Sequence, residues 1–268
     1  MPLLECREVC KHFGALAAVD RLSFALEEGQ ILGIGGPNGA GKTTLFEMIS
    51  GLHPATSGAV LLEGRDITRL APEAICHAGV ARTFQHNAGF DSLTARENVL
   101  VAAQFGVARR RFPGLAIGRE AQAAADEALA AVGLSAQAGT VTANLPVLGR
   151  KLLMIASALA TRPRLLMLDE PAGGLTAAEI DQLIEVVRRI ERRGISIVLI
   201  EHVMRFLVTL AHRVMIMHHG EKIYEGASAG LTRDAKVVEV YLGAGAAARL
   251  QAAMATQAGP MQAGAAHG

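Results

Sequence analysis

Eight consecutive residues, Gly36-Pro37-Asn38-Gly39-Ala40-Gly41-Lys42-Thr43, fit the pattern G-x-x-x-x-G-K-S/T without a mismatch. The chemistry this pattern serves is the binding of a polyphosphate. Glycines let successive backbone N–H groups converge on phosphate oxygens, and the N-terminus of a following helix adds positive potential. Lys42 is placed to reach the β- and γ-phosphates, and Thr43 to offer its hydroxyl to Mg²⁺. Thr44 completes the residues expected to touch nucleotide. The rival is a dinucleotide loop, G-x-G-x-x-G. Counted from Gly33, that pattern puts Asn38 where its third glycine should fall, so it fails.

A second stretch, Leu165-Leu166-Met167-Leu168-Asp169-Glu170, is an apolar run ending in two carboxylates. Asp169 is placed to hold Mg²⁺ through water. Glu170 is placed to polarise an attacking water as general base. The plainer alternative is that both carboxylates cap a following helix. The phosphate loop elsewhere in the same chain favours the catalytic reading.

These residues need rigid elements behind them. Residues 30–34 read as a short buried strand feeding the loop, and 43–50 as the helix leaving it, stopped by Gly51. Strands are expected at 59–63, 80–85, 165–168 and 195–200. Pro72 suits the first position of a helix over 72–78. Thr94 with Glu97, and Thr176 with Glu179, have capping-box spacing. The first opens an Ala-rich helical stretch within 95–145. The second opens a helix to about residue 193, and a further helix is expected over 152–160. Residues 214–218 and 222–225 flank His219-Gly220 as a hairpin. Strands alternating with helices predict an α/β chain with a parallel sheet. A helical subdomain, about 88–150, is inserted into it. The folded domain is expected over 1–243, with 244–268 an Ala/Gly-rich flexible tail.

Composition sets limits. The chain has 268 residues, a formal net charge of +1 and 51% hydrophobic residues. That excludes a disordered chain and argues against nucleic acid as a partner. No matching Cys/His pair lies near Cys6 and Cys10, which predicts buried thiols on an N-terminal strand rather than a metal site. The uncharged stretch 128–149 contains Asn144 and Pro146 among other polar residues. It would be costly in lipid, so no membrane span is expected. Arg109, Arg110 and Arg111 read as a solvated helix end or loop, the alternative being contact with anionic lipid headgroups or a partner loop.

The two phosphate-site motifs, with the residues around them, resemble the nucleotide-binding subunit of ABC transporters over about residues 3–243. The resemblance implies a P-loop NTPase of the ABC type with an N-terminal antiparallel β part, binding ATP and Mg²⁺. It implies that Phe13 stacks on adenine. Gln85, in Arg82-Thr83-Phe84-Gln85, matches the glutamine that touches Mg²⁺ and the permease interface. His202, in Leu199-Ile200-Glu201-His202, matches the switch histidine at the γ-phosphate. Together these place Glu170, His202, Lys42 and Gln85 in catalysis, and Thr43, Gln85 and Asp169 at the metal. Within the superfamily the chain is similar to branched-chain amino-acid importer ATPases. The stretches that carry this are Ala81–Gln85, Leu93-Thr94-x-x-Glu97-Asn98, Ala158-Leu159-Ala160-Thr161-Arg162-Pro163 and Val238-Glu239-x-Tyr241-Leu242-Gly243. This resemblance implies membrane permease subunits, a second ATPase subunit and, indirectly, an extracytoplasmic solute-binding protein as partners. It implies a place on the cytoplasmic face of the membrane.

One segment departs from the pattern. The family signature, usually L-S-G-G-Q, falls at Leu145-Pro146-Val147-Leu148-Gly149. Pro146 removes a hydroxyl for the γ-phosphate, Leu148 is expected to hinder close backbone approach, and Gly149 replaces the glutamine. Arg150 and Lys151 follow at once and read as a solvated basic turn, the alternative being that they supply charge in place of the missing hydroxyl. Thr176 and Val203 stand where acidic residues are common. Because family members pair head to tail, these departures point to a heterodimer in which an intact partner signature faces this chain's Lys42 and Glu170. Two other readings remain open: an ATP-binding subunit with little hydrolysis of its own, and a soluble ABC ATPase.

Overall fold

The computed structural model describes residues 1–84, 89–106, 117–231 and 233–242. Gln85, the arginines 109–111 and the tail 244–268 lie outside the described residues. In chain order the elements are β1 (Leu4–Phe13), β2 (Leu16–Leu26), β3 (Ile31–Gly35), α1 (Lys42–Ile49), β4 (Ser57–Leu62), β5 (Arg65–Asp66), α2 (Pro72–His77), β6 (Val80–Arg82) and α3 (Ala95–Phe105). Then come α4 (Arg119–Val132), α5 (Val147–Ala160), β7 (Leu165–Asp169), α6 (Ala177–Glu191), β8 (Ser196–Ile200), α7 (Met204–Leu210), β9 (Arg213–His218) and β10 (Glu221–Gly226).

Two sheets form. An antiparallel sheet has the order β2-β1-β4-β5, and a six-stranded sheet has the order β10-β9-β3-β8-β7-β6. In the second, β9, β3, β8, β7 and β6 run parallel and β10 returns antiparallel as a hairpin. Each inner strand is buried on both faces, which is why it reads as a continuous apolar run. Alternate side chains nonetheless go to different cores. Leu32, Ile34, Leu165, Met167, Val198 and Ile200 pack toward α1 and the antiparallel sheet. Leu166, Leu168, Ile197 and Leu199 pack toward α3 to α7. The period-2 geometry of a strand makes this split. Gly33 lies on the helical side, where a Cβ would come within 2.7 Å of Leu207; its absence lets α7 sit against β3.

The antiparallel sheet is the N-terminal β part that the resemblance implies, and β1 is the strand expected for Cys6 and Cys10, but hydrophobic runs alone do not mark β1 and β2. β1 and β2 alternate buried and exposed residues with register shifts, so their pattern is broken where the sequence is read linearly. Cys6 and Cys10 are buried on β1 and free, and burial pushes the Cys6 thiol up. Both capping boxes form: Thr94 and Thr176 each accept from the N3 amide while Glu97 and Glu179 reach back. Strand β6 ends at Arg82, three residues before the expected limit, because its last register partner on β7 is Met167. Helix α5 begins at Val147, five residues before the expected start. Pro146 at its N-cap position has no N–H to leave unpaired there. Among the described residues no helix is long and apolar enough to cross a membrane.

Candidate functional site

Parallel register brings the carboxyl ends of three strands to one edge. Ile34 on β3 pairs with Ile200 on β8, and Ile200 pairs with Asp169 on β7. The next residues along are therefore neighbours: the phosphate loop after β3, Glu170 after β7, and Glu201 and His202 after β8. Ligands of open parallel sheets bind at such edges.

The phosphate loop is gripped from two sides. Gly36 (φ +144°) has the Met217 carbonyl oxygen 2.2 Å from where a Cβ would sit. Gly41 (φ +96°) has the Ala18 carbonyl oxygen at the same distance. No L-residue fits either position, on backbone angle or on space. The β9–β10 turn adds a hydrogen bond from Gly220 N–H to the Ala40 carbonyl (3.1 Å). Gly41 caps α1 without a side chain, so the first amides of α1 have no side-chain cap. Lys42 is buried, and its ammonium donates to the carbonyls of Gly36 (2.8 Å) and Pro37 (2.9 Å). Burial pushes its pKa down, while Glu170 and Asp169 pull it back up. Pro37 is half-buried; Asn38, Gly39 and Thr43 are exposed, and Ala40 is buried. Substituting Gly36→Ala is expected to destabilise the fold by more than about 1 kcal/mol and to abolish nucleotide binding. An unchanged denaturation midpoint would contradict this.

Phe13 ends β1 at the hairpin tip, 47% exposed, with the His53 ring edge-on at 6.1 Å and the Lys11 ammonium 5.2 Å from its ring centre. Glu170 lies in the left-handed region, φ +47°. A non-glycine residue held there is strained by roughly 1–2 kcal/mol, and such strain clusters at functional sites. Its Oε2 is 3.7 Å from His202 Nδ1. The His202 ring is exposed.

Asp169 is not a free metal ligand waiting in solvent. Its Oδ2 takes a 2.8 Å ion pair from Arg82, and both side chains are buried. Burial raises the Asp169 pKa and Arg82 opposes the rise. Arg82 also donates to Ser50 Oγ (3.2 Å), and its guanidinium lies 5.6 Å from the Phe46 ring centre and 5.2 Å from that of Phe84. In the sequence Arg82 stands only as part of a motif; its partner is 87 positions away, so no local spacing signals the pair. Among the described residues no group of three His, Cys, Asp or Glu could hold a metal alone. The oxygen donors present, the Thr43 hydroxyl and the Asp169 carboxylate, suit a hard cation that keeps waters and arrives with phosphate.

The signature segment differs from expectation in two ways. Leu148 turns into the chain's own core, 8% exposed, so it obstructs nothing outside; Val147, 53% exposed, is the side chain presented. Arg150 and Lys151 are not a solvated turn. Arg150 donates to the carbonyls of Leu145 (3.0 Å) and Ala143 (2.6 Å). Lys151 donates to the Glu170 carbonyl (3.2 Å). Their aliphatic stems lie along a half-buried helix, which a charge count cannot show.

The comparisons with known proteins agree with this geometry. The ABC transporter family model matches residues 19–173, more than half of the chain. The branched-chain amino acid transport ATP-binding protein LivG of Salmonella typhimurium is 35% identical over 250 residues, covering 90% of this chain and 98% of LivG. BraF of Pseudomonas aeruginosa, described in the same terms, is 34% identical with the same coverage. A nucleotide-free ATP-binding cassette from an ABC transporter superposes with a TM-score of 0.82 at 29% identity, over 91% of this chain and 100% of the cassette. A cassette in its ADP conformation gives 0.81 at 28%. On the phosphate loop, the strand-end carboxylates and these matches, the chain belongs to the ABC transporter family, as one of its ATP-binding and ATP-hydrolysing subunits.

Proposed function

We propose that this chain powers an importer of branched-chain amino acids or related solutes, as the hydrolytic half of an asymmetric ATPase pair. The solute class rests on the likeness to LivG and BraF over nearly their whole length. The asymmetry rests on one observation. The phosphate loop, Glu170 and His202 converge on one edge, while the signature helix presents Pro146 and Val147. A partner chain with an intact signature completes the site.

In this site ATP stacks its base on Phe13 and lays its phosphates in the loop 36–43, with Thr44 beside them. Lys42 exchanges its two carbonyls for β- and γ-phosphate oxygens. Thr43, Asp169 and Gln85 would hold Mg²⁺, which would supply charge neutralisation at the phosphates. Glu170 orients a water and takes its proton as the water oxygen bonds to the γ-phosphorus. The bond to the β-bridging oxygen breaks, and ADP leaves with the electron pair. His202 donates to the γ-phosphate as charge builds there.

The chain works at the cytoplasmic membrane face through a permease rather than a span of its own. An apolar groove of about 380 Å³, lined by Arg82, Phe84, Phe90, Asn98 and Met154, gives that permease a seat.

The deciding experiment is MgATP turnover by the chain alone and with a co-expressed partner ATPase. Turnover in the pair with binding but no turnover alone supports the asymmetric reading. Equal turnover by the chain alone contradicts it. Pro146→Ser is expected to change turnover of the pair by less than about twofold, because a surface change at an unused half-site costs little. A large gain would mean that this signature is engaged.

A further inference from the structure

Glu201 stands at the end of β8 with its carboxylate fully buried. One oxygen accepts from the Ala172 N–H at 2.6 Å, and the other from the His202 and Val203 N–H groups, both at 3.0 Å. Burial pushes its pKa up while the three amides oppose the rise. A buried carboxylate is costly, and it persists only where its hydrogen bonds are complete.

The position of these amides explains the use of a carboxylate. Strands β7 and β8 are tied by backbone up to the bond from Glu170 N–H to the Ile200 carbonyl (3.0 Å). Beyond that the chains diverge, one into the turn after Glu170 and the other into the switch segment. Glu201 bridges the divergence. Both sides offer N–H donors, so the bridge must accept at both ends. A glutamine has one carbonyl oxygen, and its NH₂ would meet an N–H on one side or the other. From outside, Lys151 on α5 donates to the Glu170 carbonyl at 3.2 Å. Gly173, in the same turn, has both Lys151 Nζ and His202 Cε1 within 4.0 Å of where a Cβ would sit. The turn, the lysine and the switch histidine therefore meet at Gly173 in ordinary van der Waals contact.

We propose that Glu201 is a positioning residue for ATP hydrolysis. It clamps the turn after Glu170 to the segment carrying His202, and Lys151 closes the clamp from the signature helix. The clamp sets the 3.7 Å approach of Glu170 to His202 and holds Glu170 in its left-handed conformation. It also makes the attitude of the catalytic carboxylate depend on the chain's own signature helix. The proposal rests on the assignment of Glu170 and His202 to hydrolysis.

The test is made in whichever assembly the wild-type chain turns over MgATP. Glu201→Gln is expected to lower kcat by about 10- to 100-fold, the scale of a misplaced catalytic group, with ATP affinity within about twofold of wild type. Glu201→Asp keeps both acceptors on a shorter stem and is expected to recover part of the loss. Lys151→Met keeps the stem and removes the donor; a loss of about fivefold or more in kcat is expected, and it decides the matter if Glu201→Gln does not fold. In a Glu170→Gln background, adding Glu201→Gln is expected to change single-turnover phosphate release by less than about threefold, because a residue acting through Glu170 has nothing left to position. An unchanged kcat in both Glu201→Gln and Lys151→Met overturns the proposal. So does an equal loss with and without Glu170, which is the mark of general destabilisation. Wild-type turnover by Glu170→Gln alone overturns the underlying assignment, and the proposal with it.

Discussion

Glu170→Gln is expected to lower ATP turnover by about 10²- to 10⁴-fold, the usual contribution of a general base, while ATP still binds. The substitution keeps the shape of a side chain held at φ +47° and removes its capacity to take a proton. Two contacts of the residue are made by its backbone: Glu170 N–H to the Ile200 carbonyl, and the Glu170 carbonyl from Lys151. Both survive the change, so the fold should survive too. The ATP-bound pair is then expected to accumulate, because closure no longer ends in hydrolysis. Phosphate release and size-exclusion chromatography with MgATP check the two halves. Turnover within tenfold of wild type would remove Glu170 from its role, and loss of ATP binding would place it among the binding residues instead.

Lys42→Ala is expected to weaken ATP binding by roughly 10- to 100-fold, the loss of a hydrogen bond to a charged group at about 1.5–3 kcal/mol. The structure explains why the cost falls on binding. The Lys42 ammonium is already desolvated and held by the Gly36 and Pro37 carbonyls. ATP therefore takes over a charge whose dehydration has been met by folding. In the alanine variant the two carbonyls lose their donor, and the phosphates lose a cation. Calorimetric titration with ATP measures the change. Affinity within threefold of wild type would show that the phosphates bind elsewhere. Combined with Glu170→Gln, the pair of variants separates a binding defect from a chemical one.

The strand-end carboxylates were legible because their neighbours along the chain are apolar and their own chemistry is explicit. Asp169 shows the limit of that legibility. Its sequence context says carboxylate at a strand end, but its partner Arg82 comes from β6. That pairing depends on β6 lying beside β7, which no spacing in the chain records. The basic pair Arg150 and Lys151 shows the same limit. Read linearly they are a charged turn. In the fold the helix starts earlier, at Val147, and its geometry aims one side chain at its own N-terminal loop and the other at Glu170. Leu148 was expected to block a surface and instead fills the core, because its place on the helix faces inward.

What the sequence by itself determined is the phosphate loop and the strand before it. Their chemistry is carried by contiguous residues, and glycine at a positive φ and a lysine at the helix start work through local backbone geometry. It also determined both capping boxes, since Thr94 with Glu97 and Thr176 with Glu179 each close within one turn. What only the tertiary structure decided is how Glu170 and His202 meet, how Arg82 neutralises Asp169, and how Glu201 joins two diverging segments. Those contacts join residues from about 30 to nearly 90 positions apart. They exist because parallel register aligns the strand ends and because buried charge must find its partner through space rather than along the chain.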